Sequence, residues 1–170
     1  MANKSKSTFA KNGYGQVEPN HLSAKSTAQI YAQLPPNEEI DALENGQYVK
    51  YDYANKEVNF TRAGEWMLDY NEEKLYRDYE TARKDYAMTK DSQVGGLIVP
   101  RVFKTNVGDI YTTNFVADGP YKAGDKLTID ETAGVPTKAV DEELEGVVLQ
   151  VVENTTMPDG QPAVKLMRIQ

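Results

Sequence analysis

The sequence predicts a mainly β protein: an extended N-terminal arm over residues 1–35, a small β-meander with one helix over 36–93, and a C-terminal antiparallel β-barrel or sandwich over 94–170. Three observations carry this expectation. Residues 1–35 hold few large apolar groups, residues 47–70 alternate apolar and polar side chains with period two, and from Val94 onward short apolar runs are punctuated by Gly, Asp and Pro.

In the arm, only Phe9, Tyr14, Val17, Leu22, Ile30, Tyr31 and Leu34 offer sizeable apolar area, spread among many Ser, Thr, Asn and Gln. That is too little to offset the entropy of ordering the segment, so the expectation is that an outside surface holds it and that the body folds without it. Lys4, Lys6, Lys11 and Lys25 against the single acid Glu18 give the arm +3, which leaves −10 on residues 36–170 within the total of −7. A basic arm on an acidic body marks Lys4, Lys6, Phe9, Lys11, Tyr14, Leu22, Lys25, Ile30 and Tyr31 as the residues expected to meet a partner.

Pro35-Pro36 breaks the chain, because each ring fixes its own φ and the second biases its neighbour away from helix. Asn37 to Leu43 predicts one helical turn capped by Asn37 and ended by Asn45-Gly46. Gln47 to Tyr53 alternates Val49, Tyr51 and Tyr53 against Tyr48, Lys50 and Asp52, which predicts a strand; Ala54-Asn55-Lys56 is its turn and Glu57 to Thr61 its return. Gly64 to Tyr70, with Trp66, Leu68 and Tyr70 at period two, is a third strand. Glu72 to Ala87 places Leu75, Tyr79, Ala82 and Tyr86 on one stripe, with Glu73–Arg77 and Glu80–Lys84 as i, i+4 ion pairs; this predicts a helix capped by Asn71.

The C-terminal part reads as strands at Leu97 to Phe103, Asp109 to Val116, Lys126 to Ile129, Gly146 to Val152 and Val164 to Ile169, the last two joined across the turn Pro158-Asp159-Gly160. Val147, Leu149 and Val151 face Val164, Leu166 and Arg168 as the strongest pair.

No catalytic, cofactor or metal site is predicted. His21 is the lone histidine and falls in the arm, where it reads as a polar contact rather than as a base or a ligand. The acidic cluster Asp141, Glu142, Glu143 and Glu145 lacks the alternating ligands and the glycine of a calcium loop. Gly95-Gly96 opens a β-run, not the helix that a phosphate cradle needs. The lack of cysteine removes disulfides and thiolate chemistry. No apolar run approaches the roughly 18 residues of a membrane span, and no apolar stretch follows the N-terminal lysines, so neither a membrane nor a signal peptide is expected. A sequence pI near 4.8 argues against nucleic acid as the principal partner. Tyrosine is the one enrichment: eleven, seven of them between residues 48 and 86, against four phenylalanines and one tryptophan. Rings with a polar tip suit half-buried or recognition surfaces, so a soluble carbohydrate- or host-surface-binding module is the alternative function.

The stretches GQVEPNHLSAKSTAQIYAQLP, LENGQYVKYDYANKEVNF, GDIYTTNFVADGPYKAGDKLTI and ENTTMPDGQPAVKLMRIQ together resemble the small structural proteins that tailed bacteriophages encode beside their major capsid protein. The C-terminal part, with a GDKL strand and a GVVL strand before the last hairpin, is similar to capsid decoration or cement proteins. The resemblance implies a virion structural protein on the capsid surface, assembled in the host bacterial cytoplasm. Its partners would be the major capsid protein and neighbouring copies of itself, with a trimer among the possible states. It implies no enzyme activity. The tyrosine-rich region between arm and barrel departs from the simplest pattern of that family.

Overall fold

The computed structural model describes residues 7, 9–11, 13–71, 88–89, 99–140 and 144–170. Among these the strands are β1 (Val17–His21), β2 (Ile30–Tyr31), β3 (Ala42–Leu43), β4 (Tyr48–Asp52), β5 (Glu57–Asn59), β6 (Glu65–Asp69), β7 (Met88–Thr89), β8 (Val102–Phe103), β9 (Ile110–Thr113), β10 (Lys126–Ile129), β11 (Pro136–Lys138), β12 (Leu149–Thr156) and β13 (Pro162–Arg168). One short helix, α1 (Ala24–Thr27), follows β1. The protein is therefore mainly β. The helix expected over 72–87 and residues Asp141, Glu142 and Glu143 lie outside the described residues, as do positions 97 and 98 of the strand expected to end at Phe103.

The strands form antiparallel sheets: six strands in the order β1-β9-β13-β12-β10-β11, five in the order β2-β8-β6-β4-β5, and the pair β3-β7. Among the described residues no sheet closes into a barrel. The six-stranded sheet turns Val17, Tyr111, Leu127, Ile129, Leu149, Val151, Val164 and Leu166 into one core, which Tyr48, Leu68 and Phe103 enter from the five-stranded sheet. Register explains the match. Tyr48 lies opposite Leu68 and Leu68 opposite Phe103, while Val151 lies opposite Leu166 and Leu166 opposite Tyr111.

The other face of the five-stranded sheet is apolar as well. Val49, Tyr51, Val58, Met67 and Val102 form a second core with Ile40 and Leu43. Its cover is the segment running from Tyr31 to Leu43, held at the sheet edge where Val58 N–H donates to the Pro35 carbonyl and Asn37 N–H to the Val58 carbonyl, both at 2.8 Å. Instead of starting a helix, Asn37 caps a tight turn: its Oδ1 accepts Glu39 N–H at 2.8 Å and its carbonyl accepts Ile40 N–H at 3.0 Å. The chain then enters β3, with Ile40 and Leu43 both buried against the apolar floor of the second core.

Two expectations about the N-terminal part are corrected here. The segment does find a surface, but it belongs to its own chain: β1 pairs with β9 and β2 with β8, and Val17, Leu22 and Ala24 are buried in the main core. Leu22, expected to face a partner, is 6% exposed. Consequently the divisions expected near residues 36 and 94 do not separate folding units, since both large sheets draw strands from either side of them.

The last hairpin has the expected pairing with one irregularity. Between Val151–Leu166 and Glu153–Lys165 the register gains a residue at Val152, a bulge that turns Val152 outward at 38% exposure and lets Asn154 face Val164. Leu166 is fully buried between Val151 and Tyr111, so Leu166→Ala should cost about 2–5 kcal/mol. Urea unfolding measures this, and an unchanged midpoint would contradict the register.

Candidate functional site

The N-terminal segment is the part of the chain with the most unusual placement, and its anchors can be built one by one. Its root is Gly15-Gln16. Gly15 N–H donates to Glu44 Oε2 at 2.7 Å; Gln16 N–H donates to Asn114 Oδ1 at 2.7 Å, and its carbonyl accepts the Thr113 hydroxyl at 2.7 Å. The Gln16 amide reaches Asp159 at 3.1 Å, a carboxyl that also takes the Gln161 amide at 2.6 Å. Gln161 in turn accepts from Asn114 at 3.2 Å. The root is thus tied to the loop before β4, the end of β9 and the last hairpin, three parts of the chain far apart in sequence.

Glycine makes this approach possible. A Cβ on Gly15 would stand 2.3 Å from the Asn45 carbonyl oxygen and 2.8 Å from the Phe115 ring. Gly46, at φ 97°, would put one 2.5 Å from the Thr113 hydroxyl. Phe9 stacks edge-on against Phe115 with ring centroids 5.1 Å apart, closing the socket from above. Burial pushes the Glu44 carboxyl up, while the Ser7 hydroxyl and the Gly15 N–H pull it back.

A second anchor lies at the start of α1. Asp109, 2% exposed, accepts Ser23 N–H at 2.9 Å, the Ser23 hydroxyl at 3.0 Å and Asn106 N–H at 2.9 Å. The Asn106 amide donates to the Ser23 hydroxyl at 2.8 Å and to Gln29 at 3.1 Å. The Ser23 hydroxyl donates its hydrogen bond directly to Asp109, so no imidazole stands between them, and His21 is exposed on β1. This geometry clamps a backbone; it does not build a nucleophile.

Of the residues expected to meet a partner, Lys4 and Lys6 lie outside the described residues. Lys11 is exposed and Tyr14 half-buried. Phe9, Leu22, Ile30 and Tyr31 are spent on the chain itself: Ile30 against the main core, Tyr31 against Tyr51 at 5.4 Å between centroids. Lys25 stands over the Tyr70 ring at 5.4 Å. Glu44, Gly46, Asp109, Asn114 and Gln161, which do the holding, carry no sequence signal beyond turn chemistry. The tyrosines divide similarly. Tyr48 and Tyr51 are buried, and Tyr53, at 62% exposure, extends the Tyr31–Tyr51 row to the surface with centroids 5.0 Å apart.

Among the described residues, buried polar groups without a hydrogen-bond partner include the Asp69 Oδ2 and the Tyr48 and Tyr111 hydroxyls. The Asp69 carboxyl is fully buried; Asn71 donates to its Oδ1 at 2.6 Å, and its Oδ2 meets no partner among the described residues. Burial therefore holds it well above the ordinary 3.8, with the Asn71 hydrogen bond opposing. In the main core, burial raises the Tyr48 phenol to about 12 and the Tyr111 phenol far above its usual value, so both are neutral. Among the described residues no group of three or more His, Asp or Glu side chains is placed to hold a metal ion, and no helix is long and apolar enough to cross a membrane. Comparison with protein-family models, with curated proteins and with solved structures finds no match to this chain.

Gly46→Ala should destabilise the protein more than Gly108→Ala. Both have φ near 95° and incur the left-handed penalty of about 1–2 kcal/mol, but only Gly46 is walled in. Equal losses in thermal denaturation would mean that the socket is loose.

For Asp69 the sign runs from acid to neutral. The fold binds this proton more tightly than the unfolded chain, so the contribution is complete below the unfolded value near 3.8 and is lost as pH rises through the higher folded value. Asp69→Asn should flatten that decline, whose limit is about 1.4 kcal/mol per pH unit, and raise the melting temperature at pH 7. A variant that melts lower at pH 7 and keeps the slope contradicts it.

Proposed function

We propose that this chain is a virion structural protein of a tailed bacteriophage, a capsid decoration subunit that binds the major capsid protein and stabilises the shell without doing chemistry. The observation that supports the reading is the anchored root. Lys4, Lys6 and Lys11 precede the first acid, Glu18, and the chain that carries them is tied at Gly15-Gln16 to distant parts of an acidic body. Force on such a leader passes at once into β9, the last hairpin and the loop before β4. A tether with this root suits a subunit that must stay attached under internal pressure, where many modest contacts add by multivalency. The leader seeks acidic ground on the shell, and the body faces solvent.

Removal of residues 1–34 would strip β1, α1 and β2 with their buried side chains, so the informative truncation stops at residue 6. Deleting residues 1–6 should reduce attachment to capsids while the thermal transition of the body stays in place. Replacing Lys4, Lys6, Lys11 and Lys25 by Gln should weaken attachment in part, and more at low salt, where screening is least. Shells lacking the chain should rupture at lower temperature or milder osmotic shock. Undiminished decoration by the truncated, charge-neutralised chain, or saturable sugar binding through the Tyr53 surface with no capsid partner, would overturn the reading.

A further inference from the structure

The N-terminal segment is outermost twice. β1 is one edge of the six-stranded sheet and β2 one edge of the five-stranded sheet, so lifting residues 13–31 away leaves every other strand pairing intact. What it leaves behind is a shaped vacancy. Glu44 and Asp109 would lose the N–H groups of Gly15 and Ser23, Asn114 would lose Gln16, and the sockets of Val17, Leu22 and Ala24 would open to water. Buried Asp109 would keep only the Asn106 N–H and half-buried Glu44 would lose the Gly15 N–H, so the vacancy favours a segment with the same spacing of N–H groups and apolar side chains. Residues 32–34 form no strand or helix; Ala32 and Gln33 are exposed and Leu34 packs on the second core, whereas Pro35 and Asn37 are bonded to Val58, which makes 32–34 the hinge.

We propose that the segment exchanges between copies: residues 13–31 of one chain seat on β9 and β8 of a second copy and make there the contacts they make at home. Closed and exchanged forms share the same hydrogen bonds and buried surface and differ only at the hinge, so local concentration decides between them. A short tether holds its own segment at an effective concentration in the millimolar range, which neighbours in a close-packed array can match and dilute chains cannot. That setting rests on the assembly reading above, but exchange is a property of the isolated chain and is tested on it, whether or not a capsid partner is found.

The chain has no cysteine, so introduced thiols report alone. Glu18 on β1 lies opposite Thr112 on β9, at a spacing that a disulfide spans. The double variant Glu18→Cys/Thr112→Cys, oxidised when dilute, should close within one chain and so establish that both thiols react. Separate Glu18→Cys and Thr112→Cys chains, mixed at millimolar concentration and then oxidised, should give a covalent species of twice the chain mass, with peptide mapping placing the bond at 18–112. Its yield should fall on dilution and rise when residues 32 and 33 are deleted to shorten the hinge. If mixed single variants never link 18 to 112 at any concentration while the double variant closes, the segment does not exchange. Should the substitution of Thr112 unfold the chain, the pair His21→Cys and Ile110→Cys, also opposite across β1 and β9, decides by the same reading.

Discussion

Strand β4 carries apolar groups on both faces, Tyr48 on one and Val49 and Tyr51 on the other, and the arrangement of the molecule follows from having to cover both. β6 beside it and β8 beyond repeat the pattern through Leu68 with Met67 and Phe103 with Val102. The six-stranded sheet covers one face with matching rows of Leu, Val and Tyr. The second face is covered by the chain from Tyr31 to Leu43, which folds over it as a strap. That strap fixes where the N-terminal segment must begin and end, and with it the position of β2 at the edge.

Polar contacts then do what the core cannot. A segment with Val17, Leu22 and Ala24 as its fully buried apolar side chains gains a modest hydrophobic stabilisation, of the order of a few kcal/mol. Its place is specified by hydrogen bonds from backbone N–H groups to the carboxyls of Glu44 and Asp109, interactions that are stronger than neutral ones and intolerant of misregister. Neither carboxyl has a basic side chain as its hydrogen-bond partner among the contacts described; backbone amides and small hydroxyls supply the donors. Such a site reads the path of a backbone rather than the charge of a side chain, which is why it can be spread over three remote loops.

Much of the body was legible in the sequence. Alternation located β4, β6, β12 and β13, short runs between turn signals located β10, and turn chemistry located Ala54-Asn55-Lys56 and Pro158-Asp159-Gly160, because those signals are local. The segment 13–35 misled for a physical reason: its own composition gives no hint that two sheet edges lie ready to pair with it, and pairing recruits backbone groups that composition does not register. Asn37 read as a helix cap, and its side chain does cap a turn, but the apolar floor beneath Ile40 and Leu43 overrides the helical preference of the residues that follow. The holding residues Glu44, Gly46, Asp109 and Asn114 were silent for the same cause. The carboxyl and amide contacts span 29 residues for Glu44, 86 for Asp109 and 98 for Asn114, spacings that no motif encodes.

With β1 in place, the six-stranded sheet ends in a strand that carries Pro19, whose missing N–H cannot pair outward, and that breaks register between Glu18 and His21. Such an edge resists further strands. Without β1 the sheet would end in Ile110, Tyr111, Thr112 and Thr113, a run of β-branched and aromatic residues with open backbone groups, which is the kind of edge that recruits any strand near it. The N-terminal segment therefore acts as the terminator of the fold as well as part of its core. A terminator supplied from the same chain yields a closed monomer, and one supplied by a neighbour yields a linked array with the same contacts. What separates the two outcomes is the link between β2 and the backbone bonds of Pro35 and Asn37 to Val58, the one stretch that must change path for a neighbour to supply the terminator.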